Sequence, residues 1–95
     1  MGLPTYGTDA TGEDTYAAVV AAPSGLDSYN YIVAWCSTKS AIVSLDAGTT
    51  GHIYLLCDKD PQTFHFSPIK SAIHAKNATA GQNYANIYII AGYMP

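Results

Sequence analysis

The stretch Ser40–Leu56, SAIVSLDAGTTGHIYLL, sets the terms for the whole chain. Ala41-Ile42-Val43-Ser44-Leu45 is short and rich in β-branched residues. Asp46-Ala47-Gly48-Thr49-Thr50-Gly51 is a cluster of turn formers, and His52-Ile53-Tyr54-Leu55-Leu56 is apolar again. Gly and Asp tolerate the backbone angles of a tight reversal, and the flanking residues suit a pleated, half-buried surface. The segment therefore reads as strand, turn, strand.

The remaining apolar runs repeat that length and spacing. Tyr29–Cys36 (YNYIVAWC) alternates, with Tyr29, Tyr31, Val33 and Trp35 on one side and Asn30, Ile32, Ala34 and Cys36 on the other. Both sides are largely apolar, which predicts a central strand covered twice, once by the core and once by a neighbouring subunit. In the second strand of the central hairpin Ile53, Leu55 and Cys57 oppose His52, Tyr54 and Leu56. Thr63–Phe66 is a short strand that Pro68 ends or confines to a sheet edge. Ser71–Lys76 sets Ile73 and Ala75 against Ala72, His74 and Lys76. Ala85–Tyr93 sets Ile87, Ile89 and Ala91 against Tyr88 and Ile90. Asp14–Ala22 is ambiguous in isolation: alanine favours a helix, and Tyr16, Val19 and Val20 fit a helical period. Pro23-Ser24-Gly25 stops it after two turns, and strand is the reading that agrees with the rest. About seven short strands result, which predicts an all-β fold, an antiparallel β-sandwich of jelly-roll-like form. Residues 14–95 form that domain. Residues 1–13 (MGLPTYGTDATGE) show no period of either kind and read as an extended N-terminal arm that reaches across to a neighbour.

Composition narrows the function classes. Ninety-five residues leave room for one core. Charged residues are 12% of the chain, about half the usual share, while apolar residues are 48%. So few charges suit a subunit whose surface is covered by others better than a free monomer. There is no arginine, and the net charge is -3. Phosphate neutralisation needs clustered Lys and Arg, so neither nucleic acid nor an anionic membrane is an expected partner. The apolar run Ala17–Ala22 is preceded by Glu13 and Asp14, and it reads as neither signal peptide nor membrane span. Cys36 and Cys57 read as free buried thiols, with a single disulfide as the alternative.

No motif for chemistry emerges. His52, His65 and His74 lack ligand spacing with each other or with the cysteines, so no metal or cofactor is expected. There is no GxSxG elbow and no Cys–His context, and the chain is not expected to be an enzyme. Asp58 and Asp60 flank Lys59 before Pro61, which is turn chemistry; with Gln62 they lack the glycine and final glutamate of a calcium loop. Asn77-Ala78-Thr79 matches a glycosylation acceptor and reads as coincidence. The one excess is tyrosine, eight in all. An aromatic ring with a polar tip suits protein interfaces and sugar platforms alike. Tyr6, Tyr29, Tyr31, Tyr84 and Tyr93 are the candidates for partner contact.

Two segments, SLDAGTTGHIYL (Ser44–Leu55) and IHAKNATAGQNYANIYIIAGY (Ile73–Tyr93), resemble small β-rich virion proteins of tailed bacteriophages. Asp46, Gly48, Thr49 and Thr50 match a D-x-G-T-T turn between strands. Asn77, Ala80, Gly81, Gln82, Tyr84 and Asn86 match the loop that precedes a closing apolar strand. The match covers about a third of the chain. It implies a capsid decoration (cement) protein, a homotrimer assembled in the host cytoplasm that clamps the major capsid protein at the capsid surface of the virion. It implies no catalytic residue. The alternatives are a tail- or fibre-associated protein and a carbohydrate-binding β-sandwich module.

Overall fold

The path of the chain is that of one long hairpin rolled up on itself. In the computed structural model, residues 4–9, 15–49, 53–79 and 85–95 are described. They form eight strands: β1 (Thr5–Asp9), β2 (Ala17–Val20), β3 (Tyr29–Ser37), β4 (Ala41–Ser44), β5 (Ile53–Leu55), β6 (Gln62–Ile69), β7 (Ile73–Asn77) and β8 (Asn86–Gly92). First pairs with last and so inward: β1 with β8, β2 with β7, β3 with β6 and β4 with β5, all antiparallel. Strands β4 and β5 are its closed end, with Ile42 opposite Tyr54. Two further ladders, β3 with β8 and β4 with β7, complete the sheets β1-β8-β3-β6 and β2-β7-β4-β5. This is the jelly-roll arrangement of a double-sheet sandwich.

In β3, β5, β7 and β8 the facing sheets bury one of the two sides that alternation separates. Ile32 and Ala34 of β3 and Ile87, Ile89 and Ala91 of β8 meet Val43 of β4, Leu55 of β5, and Ile73 and Ala75 of β7. Ile32, Ile73, Ile87 and Ile89 are wholly buried. Each contributes about 2 kcal/mol by leaving water. Ala17–Val20 is extended and paired with β7, with Val20 in the core. Cross-strand pairing therefore overrides the helical preference of its alanines.

Three local features depart from simple alternation. Thr5–Asp9, placed in an arm by the sequence, is a strand of the chain's own first sheet, with Gly7 opposite Ile89. Its partner is β8. β6 continues past Phe66 to Ile69, and Pro68 lies in an irregular stretch where the ladder jumps from Tyr31–His65 to Tyr29–Ile69. β6 is an edge strand, where a missing N–H is tolerated. Tyr29 is the third: expected beside Tyr31, it is buried with Ile32 and Ala34 instead. The β3–β8 ladder ends at Tyr31–Gly92. Beyond it the Asn30 side chain replaces the backbone. Its Nδ2 donates to Met94 O (2.7 Å), and Met94 N donates to its Oδ1 (2.8 Å). Freed from the pleat, Tyr29 turns inward, and its hydroxyl donates to Ala21 O at 2.6 Å.

Polar side chains brace the ends. Ser44 Oγ donates to Asp46 Oδ1 (2.6 Å) and accepts from Gly48 N (3.1 Å), holding the turn in which Ala47 and Gly48 take positive φ. Asn77 is buried, and its Oδ1 accepts from Ala85 N at 3.1 Å, clamping β7 to β8. A side chain buried to that degree has no room for a glycan on its Nδ2, so Asn77 acts here as a structural residue.

Candidate interaction surface

The outward side of β1-β8-β3-β6 is largely aromatic and aliphatic, and its strands β3, β6 and β8 bring no charged residue to it. Directly opposed residues of antiparallel strands share a face. The register therefore gathers Tyr6 with Ile90, Val33 with Ile90 and Thr63, Trp35 with Tyr88, and Tyr31 with His65. Strands β3, β6 and β8 contain no Asp, Glu, Lys or Arg at all. Trp35 and Tyr88 stack, with ring centroids 5.4 Å apart and planes 12° from parallel. Tyr31 and His65 meet at 6.4 Å, tilted by 41°. Tyr31 lies across Gly92, where an added Cβ would come within 2.6 Å of its hydroxyl. Glycine at that position lets the ring lie flat. Tyr6, on edge strand β1, is 56% exposed.

The outward side of the second sheet is different. It carries His74 and Lys76 beside Ile42 and the exposed Tyr54. Lys76 Nζ lies 4.8 Å from the centre of the Tyr16 ring, a cation–π contact. Burial raises the Tyr16 phenol above its ordinary pKa, and the Asp46 carboxylate raises it further. Tyr16 packs on Gly48, so the central turn and Tyr16 together cover part of this side.

A cleft opens at one end of the sandwich, between the β2–β3 loop and the end of β8. One part, of 320 Å³, is bordered by Thr5, Ser24, Tyr29 and Tyr93, and an adjoining part of 220 Å³ reaches Leu26 and Pro68. Asp27, Ser28 and Tyr93 border both.

The tyrosines singled out by the sequence thus divide between two places. Tyr6 and Tyr31 belong to the aromatic face, while Tyr29 and Tyr93 line the end cleft. Tyr84 lies outside the described residues. Trp35 and Tyr88 were not singled out, yet they form the stacked aromatic pair of the face. Alternation along β3 already placed Trp35 with Tyr31; the Trp35–Tyr88 pairing needed the register. His65 and His74 lie on opposite sheets, and His52 is outside the described residues. Among the described residues no three His, Cys, Asp or Glu side chains gather as a metal site. Asp58 and Asp60 are exposed in the β5–β6 turn.

No family model, curated protein or solved structure matches the chain.

Proposed function

We propose that this chain is a structural protein of a tailed-bacteriophage virion, a decoration protein that binds the outside of the major capsid protein shell and stabilises it. The aromatic face of β1-β8-β3-β6, uncharged along β3, β6 and β8, carries the reading. A fold hosts many functions, so the argument has to rest on a surface. Aromatic residues are enriched, and charges depleted, at the centres of protein interfaces. Covering β3, β6 and β8 on this face desolvates no Asp, Glu, Lys or Arg, which avoids the main cost of burying a polar surface. A shell under internal pressure gains strength when such contacts are added across its outer joints.

The likeness of Ser44–Leu55 and Ile73–Tyr93 to phage virion proteins supports the same reading. These segments hold the end of β4 with β5, and the strands β7 and β8 of the two different sheets. In the proposed assembly three copies associate, are made in the host cytoplasm, and end on the capsid surface. Quantitative mass spectrometry of purified particles tests it. A ratio near one copy per capsid subunit is the expected result. A handful of copies per particle would replace the shell role with a tail or fibre role, and absence from particles would remove the virion reading altogether.

A further inference from the structure

We infer that Cys36 and Cys57 are a redox-controlled modification site, at which a disulfide ties the first sheet to the second and opens again when the medium is reducing. The inference concerns the body of the sandwich and is independent of what its faces bind. Both thiols are free, and the backbone already holds their positions together. Asp58 N donates to Cys36 O at 2.9 Å. With ordinary bond lengths and a near-linear hydrogen bond, the Cys36 and Cys57 α-carbons lie within about 6 Å of each other, inside the span of a disulfide. Cys57 is also held from the β4 side, where its N donates to Ser40 Oγ at 3.1 Å.

The side chains meet as well. Cys36 follows Ile32 and Ala34 on the inward side of β3 and is buried. Its Sγ donates to Leu55 O at 3.5 Å, which aims it at the chain just ahead of Cys57. Cys57 is partly buried and packs against the same core. A disulfide here asks for side-chain rotation rather than strand movement. It closes a loop that holds β4 and β5, and it joins β3 of one sheet to the chain leaving β5 of the other. Such a link restricts the unfolded chain and opposes separation of the sheets.

The oxidant is a small-molecule disulfide, with oxidised glutathione as the probe. Cys57, the more accessible thiol, loses its proton to solvent and attacks first. Its sulfur bonds to one sulfur of the oxidant, the oxidant's S–S bond breaks, and the leaving thiolate takes up a proton. Cys36 Sγ then gives its proton to solvent and attacks the Cys57 sulfur. The protein S–S bond forms, and the second small thiolate leaves and is protonated. Two protein thiols are oxidised while one small disulfide is reduced to two thiols. Burial pushes the Cys36 thiol up to about 11, so the second step is the slower.

The test incubates the full chain with oxidised glutathione and reads intact mass, non-reducing peptide maps and urea unfolding. The expected product is a monomer lighter by two hydrogens, with the Cys36 and Cys57 peptides linked and the urea midpoint raised by about 1 M or more. Dithiothreitol should restore the starting mass and midpoint. Cys36→Ala should stop at a glutathione adduct on Cys57, which shows that Cys57 reacts first and Cys36 completes the bond. A stable glutathione adduct on Cys57 in the wild type would overturn the inference, and so would disulfide-linked dimers in place of the internal bond. No reaction, or an internal bond that leaves the midpoint where it was or lowers it, would overturn it equally.

Discussion

Cys36 shows how burial governs a single group. Its thiol lies in the core and donates to Leu55 O at 3.5 Å. Burial, with the nearby Cys57 adding to it, pushes its pKa from 9.0 up to about 11. The thiolate is the reactive form, so Cys36 should resist alkylation in the native protein. Cys57 is only partly buried and should take up iodoacetamide first, which mass mapping of labelled peptides would show. The shift also bears on stability. Above pH 9.0 the unfolded chain loses the Cys36 proton while the folded chain keeps it until about pH 11. The folded state binds more protons in that window, so the contribution is full below it and is lost as pH rises through it. Urea midpoints should therefore fall more steeply across that window in the wild type than in Cys36→Ala. Gly7 is sensitive for a different reason. It is buried where β1 passes β2, and an added Cβ would overlap the Val19 carbonyl and crowd Val20. Backbone cannot yield as a side-chain tip does, so Gly7→Ala should destabilise the fold by about 2 kcal/mol or more, measured by urea unfolding.

At the scale of elements, β1 decides how the edge of the first sheet is closed. It covers the free side of β8, whose backbone groups would otherwise be open to pairing with another chain. Removing residues 1–9 should therefore lower the thermal midpoint and promote self-association, seen by light scattering. A dispensable arm would leave both unchanged. The same strand shows where sequence reading reaches its limit. β8 was legible because its inward Ile87, Ile89 and Ala91 alternate with Tyr88 and Ile90, and one buried face forces that pattern. β1 is TYGTD, with a glycine inward and little apolar content to alternate. Its inclusion rests on backbone pairing and on the room that Gly7 leaves, neither of which has a period. Tyr29 was misassigned for a related reason. Alternation assumes an unbroken pleat, and the shift opposite β6, with Asn30 taking over the ladder to Met94, breaks it. The face was half legible: β3 displayed Tyr31, Val33 and Trp35 together, but only the register adds Tyr88, Ile90 and Tyr6 to them.

For the whole molecule, the jelly roll places the two outer sides in different electrostatic surroundings. His74 and Lys76 mark the second sheet, while β3, β6 and β8 of the first bring no charge to an aromatic surface that holds the only tryptophan, Trp35. An interface through the first sheet makes a joint prediction for attachment and for fluorescence. Val33 stands at the middle of that face, opposite Ile90 and Thr63, and it is half-buried in the free chain. In Val33→Glu the carboxylate stays in water while the protein is free, so circular dichroism should match the wild type. On docking the same carboxylate would be buried without a partner, at a cost of several kcal/mol. Attachment to particles should therefore fall by at least about a hundredfold, since each 1.4 kcal/mol is tenfold. Trp35 emission should shift to shorter wavelength, and resist acrylamide quenching, when the wild type is added to undecorated shells. The variant should show neither change. If the variant attaches normally, the face is not the one that meets the shell. If the wild type attaches with no change at Trp35, contact is made elsewhere and the second sheet becomes the surface to mutate.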